Sequence, residues 1–188
     1  MLASRPNLPS SDAHPVVDST VSYAVVAIPP AADMTDLELV RREHDPQFDL
    51  IPAHVTIVFP FQSTWPDDKL RARVEQRIGG LPACSLHLAG VTVHNETYVF
   101  LEVDRGRDCL AELHEGLHDG LVEARSTRRR PFVRHLTIGR LPSARRTHEV
   151  AAGLSLSAET TIAIVTVCRI GQRIERIHQV ELTARGGC

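Results

Sequence analysis

Two short segments of this 188-residue chain, HVTIVFPF at 54–61 and HLTIGRL at 135–141, are apolar strands that each open on His-x-Thr. Side chains alternate across a strand. His54, Thr56 and Val58 therefore share one face, while Val55, Ile57 and Phe59 share the other. His135 and Thr137 stand likewise against Leu136 and Ile138. Each segment can bury an apolar row and hold an imidazole and a hydroxyl out from the opposite side. A partly buried strand histidine satisfied by its neighbours is an adequate reading of one such segment. It is a poor reading of two in matching contexts.

The contexts do match. SYAVVAI (22–28) reads as a buried strand ended by Pro29-Pro30, and Thr35-Asp36-Leu37-Glu38 has the spacing of a capping box opening a helix to about His44. The first His-x-Thr strand follows. Thr64-Trp65-Pro66-Asp67 then opens a helix with Leu70, Val74 and Ile78 every fourth residue. A strand pair over 84–94 and 97–103 turns at Asn95-Glu96. From TYVFLEV (97–103) the order restarts, with a helix striped by Leu110, Leu113, Leu117 and Leu121, the second His-x-Thr strand, a helix from Ser143 to about Leu154, one strand over 160–170, a Gly171-Gln172 turn and a last strand over 173–182. Tyr23 precedes His54 by 31 residues and Tyr98 precedes His135 by 37, which supports an internal duplication. The predicted fold is α+β, bilobal, with two mainly antiparallel sheets facing a central cleft and helices outside.

Composition narrows the classes. The apolar fraction of 43% supplies a core, and a formal net charge of -2 excludes binding of nucleic acid through bulk positive charge. No apolar run reaches the length of a membrane span, and the Pro- and Ser-rich start lacks the apolar centre of a signal peptide. A cytoplasmic protein, monomeric and without membrane contact, is expected. Residues 1–19 and 184–188 read as tails around one domain over 20–183. Cys84, Cys109, Cys168 and Cys188 form no CxxC pair, and separate reduced thiols are expected.

Two imidazoles and two hydroxyls around one cleft suit in-line displacement at phosphorus. One histidine takes a proton from the attacking oxygen and the other gives one to the leaving oxygen. Threonine hydroxyls can hold the non-bridging oxygens. That chemistry calls for no cofactor.

HVTIVFPF and HLTIGR resemble the two signature motifs of the 2H phosphoesterase superfamily, which includes RNA 2',3'-cyclic phosphodiesterases also called 2'-5' RNA ligases. The resemblance spans about residues 21–183 and implies metal-independent catalysis by His54 and His135, with phosphate contacts from Thr56 and Thr137. Arg140 also matches the family pattern. Strict alternation puts it on the Leu136 face, so it reaches the cleft if Gly139 bulges or ends the strand. The expected activity is hydrolysis of 2',3'-cyclic phosphate or 2'-5' bonds, reversible as ligation, on RNA ends or a small nucleotide.

Other residues invite competing readings. Arg125, Arg128, Arg129, Arg130 and Arg134 form a run without an intervening acid, either a polyanion-binding surface or a solvated loop. Trp65 and Phe132 could stack on a base, with core packing their default role. His114-Glu115-Gly116-Leu117-His118 has the HExxH spelling of a zinc peptidase, yet its histidines lie along the edge of the leucine stripe, as on an ordinary amphipathic helix. A zinc hydrolase built on His114, Glu115 and His118 and a non-catalytic module gripping phosphorylated RNA ends are the alternatives.

Overall fold

The computed structural model describes residues 20–121 and 131–184. The tails expected at 1–19 and 184–188 lie outside the described residues, apart from Ala184. The elements in chain order are β1 (Val21–Ala27), α1 (Thr35–His44), β2 (Val55–Ser63), α2 (Asp67–Ile78), β3 (Cys84–His94), β4 (Tyr98–Arg105), α3 (Arg107–Leu121), β5 (His135–Arg140), α4 (Ala144–Gly153), β6 (Ser157–Ile162), β7 (Ile164–Ile170) and β8 (Ile174–Glu181). Among the described residues no helix is long and apolar enough to cross a membrane.

Local signals explain most of these elements. Leu70, Val74 and Ile78 on α2 and Leu110, Leu113, Leu117 and Leu121 on α3 are all buried, so both helices turn the stripe seen in the sequence to the sheet. Each such leucine contributes about 1.5–3 kcal/mol by leaving water. Ser143 caps α4 by accepting from the Arg146 N–H. The β3–β4 turn places Asn95 and Glu96 at φ 47° and 62°, the left-handed pair that lets a tight hairpin follow the strand twist.

Several expectations are corrected, three of them local. The capping box is not made: a 3-10 turn over Ala31–Met34 precedes α1, Thr35 Oγ1 donates to the Ala32 carbonyl, and Glu38 turns to Arg41 and the Ala53 N–H. The strand expected over 160–170 is two strands, β6 and β7, interrupted at Ala163. Cys84 and Cys109 are joined in a disulfide with Cα atoms 5.8 Å apart. Folding lays the start of β3 on the first turn of α3, a proximity that two cysteines 25 residues apart do not announce.

The strands form one antiparallel sheet of eight in the order β6-β3-β4-β5-β2-β1-β7-β8, where two facing sheets were expected. Its halves, β6-β3-β4-β5 and β2-β1-β7-β8, meet at a seam where Val55 of β2 pairs with Leu136 of β5. The sheet curls strongly. β6 and β7 are separated by Ala163 alone, yet one is the first strand of the order and the other the seventh, so the edges must approach.

The two halves are interlocked. β3 leaves the first repeat to flank β4, and β7 returns from the second to flank β1. Helix α1 packs on β5, and α3 packs on β2, so each repeat braces the other's His-x-Thr strand. All four helices feed one apolar core on the convex side of the sheet, while Val26, Ile51 and Cys168 form a small cluster on the other side.

Candidate active site

The seam decides where the motifs go. Val55 and Leu136 are fully buried, and alternation turns His54, Thr56, His135 and Thr137 to the opposite, concave side. All four are half-buried and line a cleft of about 510 Å³. The structure therefore brings together the two imidazoles and two hydroxyls that the sequence places 81 positions apart (135 minus 54).

Both rings are held in the same way. Nδ1 of His54 lies 2.9 Å from the Pro52 carbonyl, and Nδ1 of His135 lies 2.7 Å from the Val133 carbonyl. A carbonyl oxygen only accepts, so each Nδ1 carries the hydrogen, and each neutral ring keeps its lone pair on Nε2. Burial pushes both imidazoles below their ordinary value of about 6.5. The carbonyl bonds act in the opposite sense and are outweighed. Near neutral pH each histidine is thus an unprotonated base.

What surrounds the rings differs. Behind His54 lies Arg41, 1% exposed, whose guanidinium bonds Asp45 and Glu38 and donates to the Ile51 carbonyl at 2.9 Å. Glu38 in turn accepts the Ala53 N–H at 2.8 Å, so this ionic knot fixes the segment leading directly into His54. Against His135 the support is aromatic. Phe100 stacks on the imidazole with centroids 3.6 Å apart, and His94 stacks on the other side of Phe100 at 5.0 Å. Sequence reasoning missed Arg41, Phe100 and His94. The first looks like an ordinary charge on an amphipathic helix, and the others lie in strands whose partners were unknown.

Bulges complete the site. Val26 pairs with Thr56 and Val25 with Val58, which leaves Ile57 as an extra residue in β2. Val58 is consequently buried and Phe59 enters the cleft, reversing the faces that alternation gave them. In the other half Phe100 pairs with Thr137 and Val99 with Gly139, leaving Ile138 as the extra residue. This is the bulge that Arg140 needed. Arg140 lines a smaller pocket that adjoins this cleft and shares His54, Thr56 and Thr137 with it, and its guanidinium lies 5.3 Å from the Tyr98 ring. A Cβ on Gly139 would meet the His44 Cβ at 3.1 Å, so α1 packs closely on this bulge and a larger residue would push the helix by a few tenths of an ångström. The same registers align Val26 with Phe100, and hence Ala24 with Tyr98, one residue away from the Tyr23–Tyr98 match suggested by the sequence.

The remaining candidates among the described residues do not line the cleft. Arg125, Arg128, Arg129 and Arg130 lie outside the described residues, and Arg134 places its guanidinium 5.3 Å from the Phe132 ring. Trp65 and Phe132 pack against the core. His114 uses Nδ1 on the Ile57 carbonyl at 2.7 Å and stacks on Phe132, so it supports the β2 bulge from α3. Among the described residues no three His, Cys, Asp or Glu side chains gather as a metal site, and His114, Glu115 and His118 acquire no further ligand.

Known proteins match this chain in sequence and in fold. Residues 27–173 match the sequence profile of the 2'-5' RNA ligase superfamily. The chain is 31% identical over 128 residues to "Putative phosphoesterase GK0864" of Geobacillus kaustophilus, covering 66% of this chain and 72% of that protein. A Geobacillus thermodenitrificans protein of the same description is 30% identical over 128 residues with the same coverage. Among solved structures, E. coli LigT complexed with NADP+ superposes with a TM-score of 0.62 at 18% identity, covering 87% of this chain and 99% of LigT. TT0787 of Thermus thermophilus gives 0.62 at 14% identity, covering 88% and 100%.

Proposed function

The chain belongs to the 2'-5' RNA ligase superfamily, and from that premise we propose that it is a phosphodiesterase that opens 2',3'-cyclic phosphates or cleaves 2'-5' linkages on RNA ends or small nucleotides. The observation that carries the proposal is the matched pair of imidazoles, each committed through Nδ1 to its own backbone and presenting Nε2 to one cleft. Solved complexes of E. coli LigT with NADP+, 3'-AMP and ATP support a nucleotide as the occupant.

In the proposed reaction Nε2 of one histidine takes a proton from water as the water oxygen bonds to phosphorus. The bond from phosphorus to the ribose oxygen breaks, and the other histidine gives its Nε2 proton to that oxygen. The donor must be an imidazolium at that moment. Burial opposes this in the empty cleft, while the negative charge of a bound phosphodiester favours it. Thr56 and Thr137 donate to the non-bridging oxygens, and Arg140 offsets their charge. With a nucleoside 5'-hydroxyl in place of water, the same steps form a 2'-5' bond. Protons are supplied and returned by the two imidazoles, so the scheme needs no metal.

Turnover of 2',3'-cyclic nucleotides, cyclic-phosphate-ended RNA and 2'-5' dinucleotides by protein held in EDTA tests this. Hydrolysis of at least one class is expected. Binding without hydrolysis would make the cleft a recognition module, and activity restored only by added zinc would replace the two-histidine scheme.

A further inference from the structure

The two bulges place opposite chemistries at equivalent positions, Phe59 five residues after His54 and Arg140 five after His135. The geometry points to Phe59 as the platform on which the substrate's nucleobase stacks, beside His54; this assignment rests on the nucleotide reading proposed above.

Three observations carry it. First, Phe59 is half-buried, lines the cleft and belongs to neither apolar cluster. Among the described residues it is the aromatic ring with no other ring or cation against it. By contrast Phe100 lies between two histidines, Tyr98 under Arg140 and Phe132 on His114. Second, the wall beside Phe59 is open where its counterpart is filled. Pairing across β1–β7 and β3–β4 sets Ala24, Val26 and Cys168 in the places that Tyr98, Phe100 and His94 take opposite. With Phe59 they line one side of a chamber of about 290 Å³ whose far side is formed by Tyr98 and Arg140, a volume at the lower end of small-molecule sites and sufficient for a flat heterocycle. Third, the position equivalent to Phe59 holds a cation. An aromatic face on one side of the phosphorus site and a guanidinium on the other complement a ligand with a planar base at one end and anionic oxygens at the other. Such a platform tolerates any base, because every base has a stacking face.

The test compares kcat/KM for adenosine 2',3'-cyclic phosphate and for 1-O-methylribose 2',3'-cyclic phosphate, the same reacting group without a base. Wild type is expected to favour the nucleotide by about tenfold or more. Phe59→Ala should reduce that preference to about twofold or less, through KM, whereas Phe59→Tyr retains it. Val26→Phe, which installs on this wall the ring carried by the other, should also remove it. Circular dichroism checks that each variant is folded, and the wild-type comparison stands without any variant. Equal turnover of both compounds by wild type, or an undiminished preference in folded Phe59→Ala, overturns the platform and leaves the cyclic phosphodiesterase reading intact. A wild type inactive on both compounds and on 2'-5' dinucleotides overturns that reading, and the platform with it.

Discussion

His54 and His135 stand at equivalent places in a duplicated fold, with the same bond from Nδ1 to the carbonyl two residues back, yet different forces hold them. The strand end at His54 is fixed by charge, through Arg41, Asp45 and Glu38. That at His135 is fixed by ring packing, through Phe100 and His94. The difference means that the proposed reaction would constrain the reacting atoms and not their scaffolding. Either support can orient an imidazole and keep water from it, but they fail differently. An ion knot that loses one partner leaves buried charge behind. A ring stack that loses a member leaves space, which water can enter.

The largest effect should fall on the part the halves share. His54→Ala and His135→Ala are each expected to lower kcat by roughly 10²–10⁴ with little change in unfolding midpoint. Full activity in either variant would break the equivalence. Next comes the ionic support. Arg41→Met removes the partner of buried Asp45 and should cost about 3–5 kcal/mol of stability, read from urea unfolding. A cost near zero would mean that the knot does not hold this wall. Thr56→Val and Thr137→Val test the hydroxyls. Each loses a hydrogen bond to a charged oxygen, so kcat should drop about 10- to 100-fold with folding intact.

The smallest effects concern protonation. Phe100→Leu admits water to His135, so its imidazole should rise toward the ordinary value of about 6.5 while His54 stays put, visible as separate shifts in an NMR titration. Identical movement of both would show that the walls are not independent. For stability the sign follows from burial. Folded-state values lie below the unfolded 6.5, so as pH falls through that window the unfolded chain takes up protons that the folded chain refuses, and stability declines. Replacing both histidines by Gln should flatten the fall in urea midpoint below about pH 6.5. For activity, the limb that reports the base should lie on the acid side of 6.5 in kcat/KM.

Much of this was legible in the sequence because the signals were local. The leucine stripe of α3, the fourfold spacing on α2 and the Asn95-Glu96 turn need only near neighbours to be read. The His-x-Thr strands were legible too, since alternation alone sets histidine and threonine opposite Val55 and Leu136. Alternation failed past Ile57, where it assigned Phe59 to the core and Val58 to the cleft. A bulge belongs to a pair of strands and cannot be seen in one. Arg140 shows the same limit from the other side: its inward turn was conditional on a bulge at Gly139 or a strand end there, and the pairing with β4 places the bulge one residue earlier, at Ile138.

The sequence by itself determined most of the elements, their order and the histidine and threonine that each His-x-Thr strand must turn away from the core, because periodic burial is written into neighbouring residues. Tertiary structure decided that one curled sheet would replace two, that Cys84 would meet Cys109, that Arg41 would be buried, and that two bulges would aim Phe59 and Arg140 inward. Those outcomes depend on which strands become partners and in what register, and that is fixed by contacts between residues far apart in the chain.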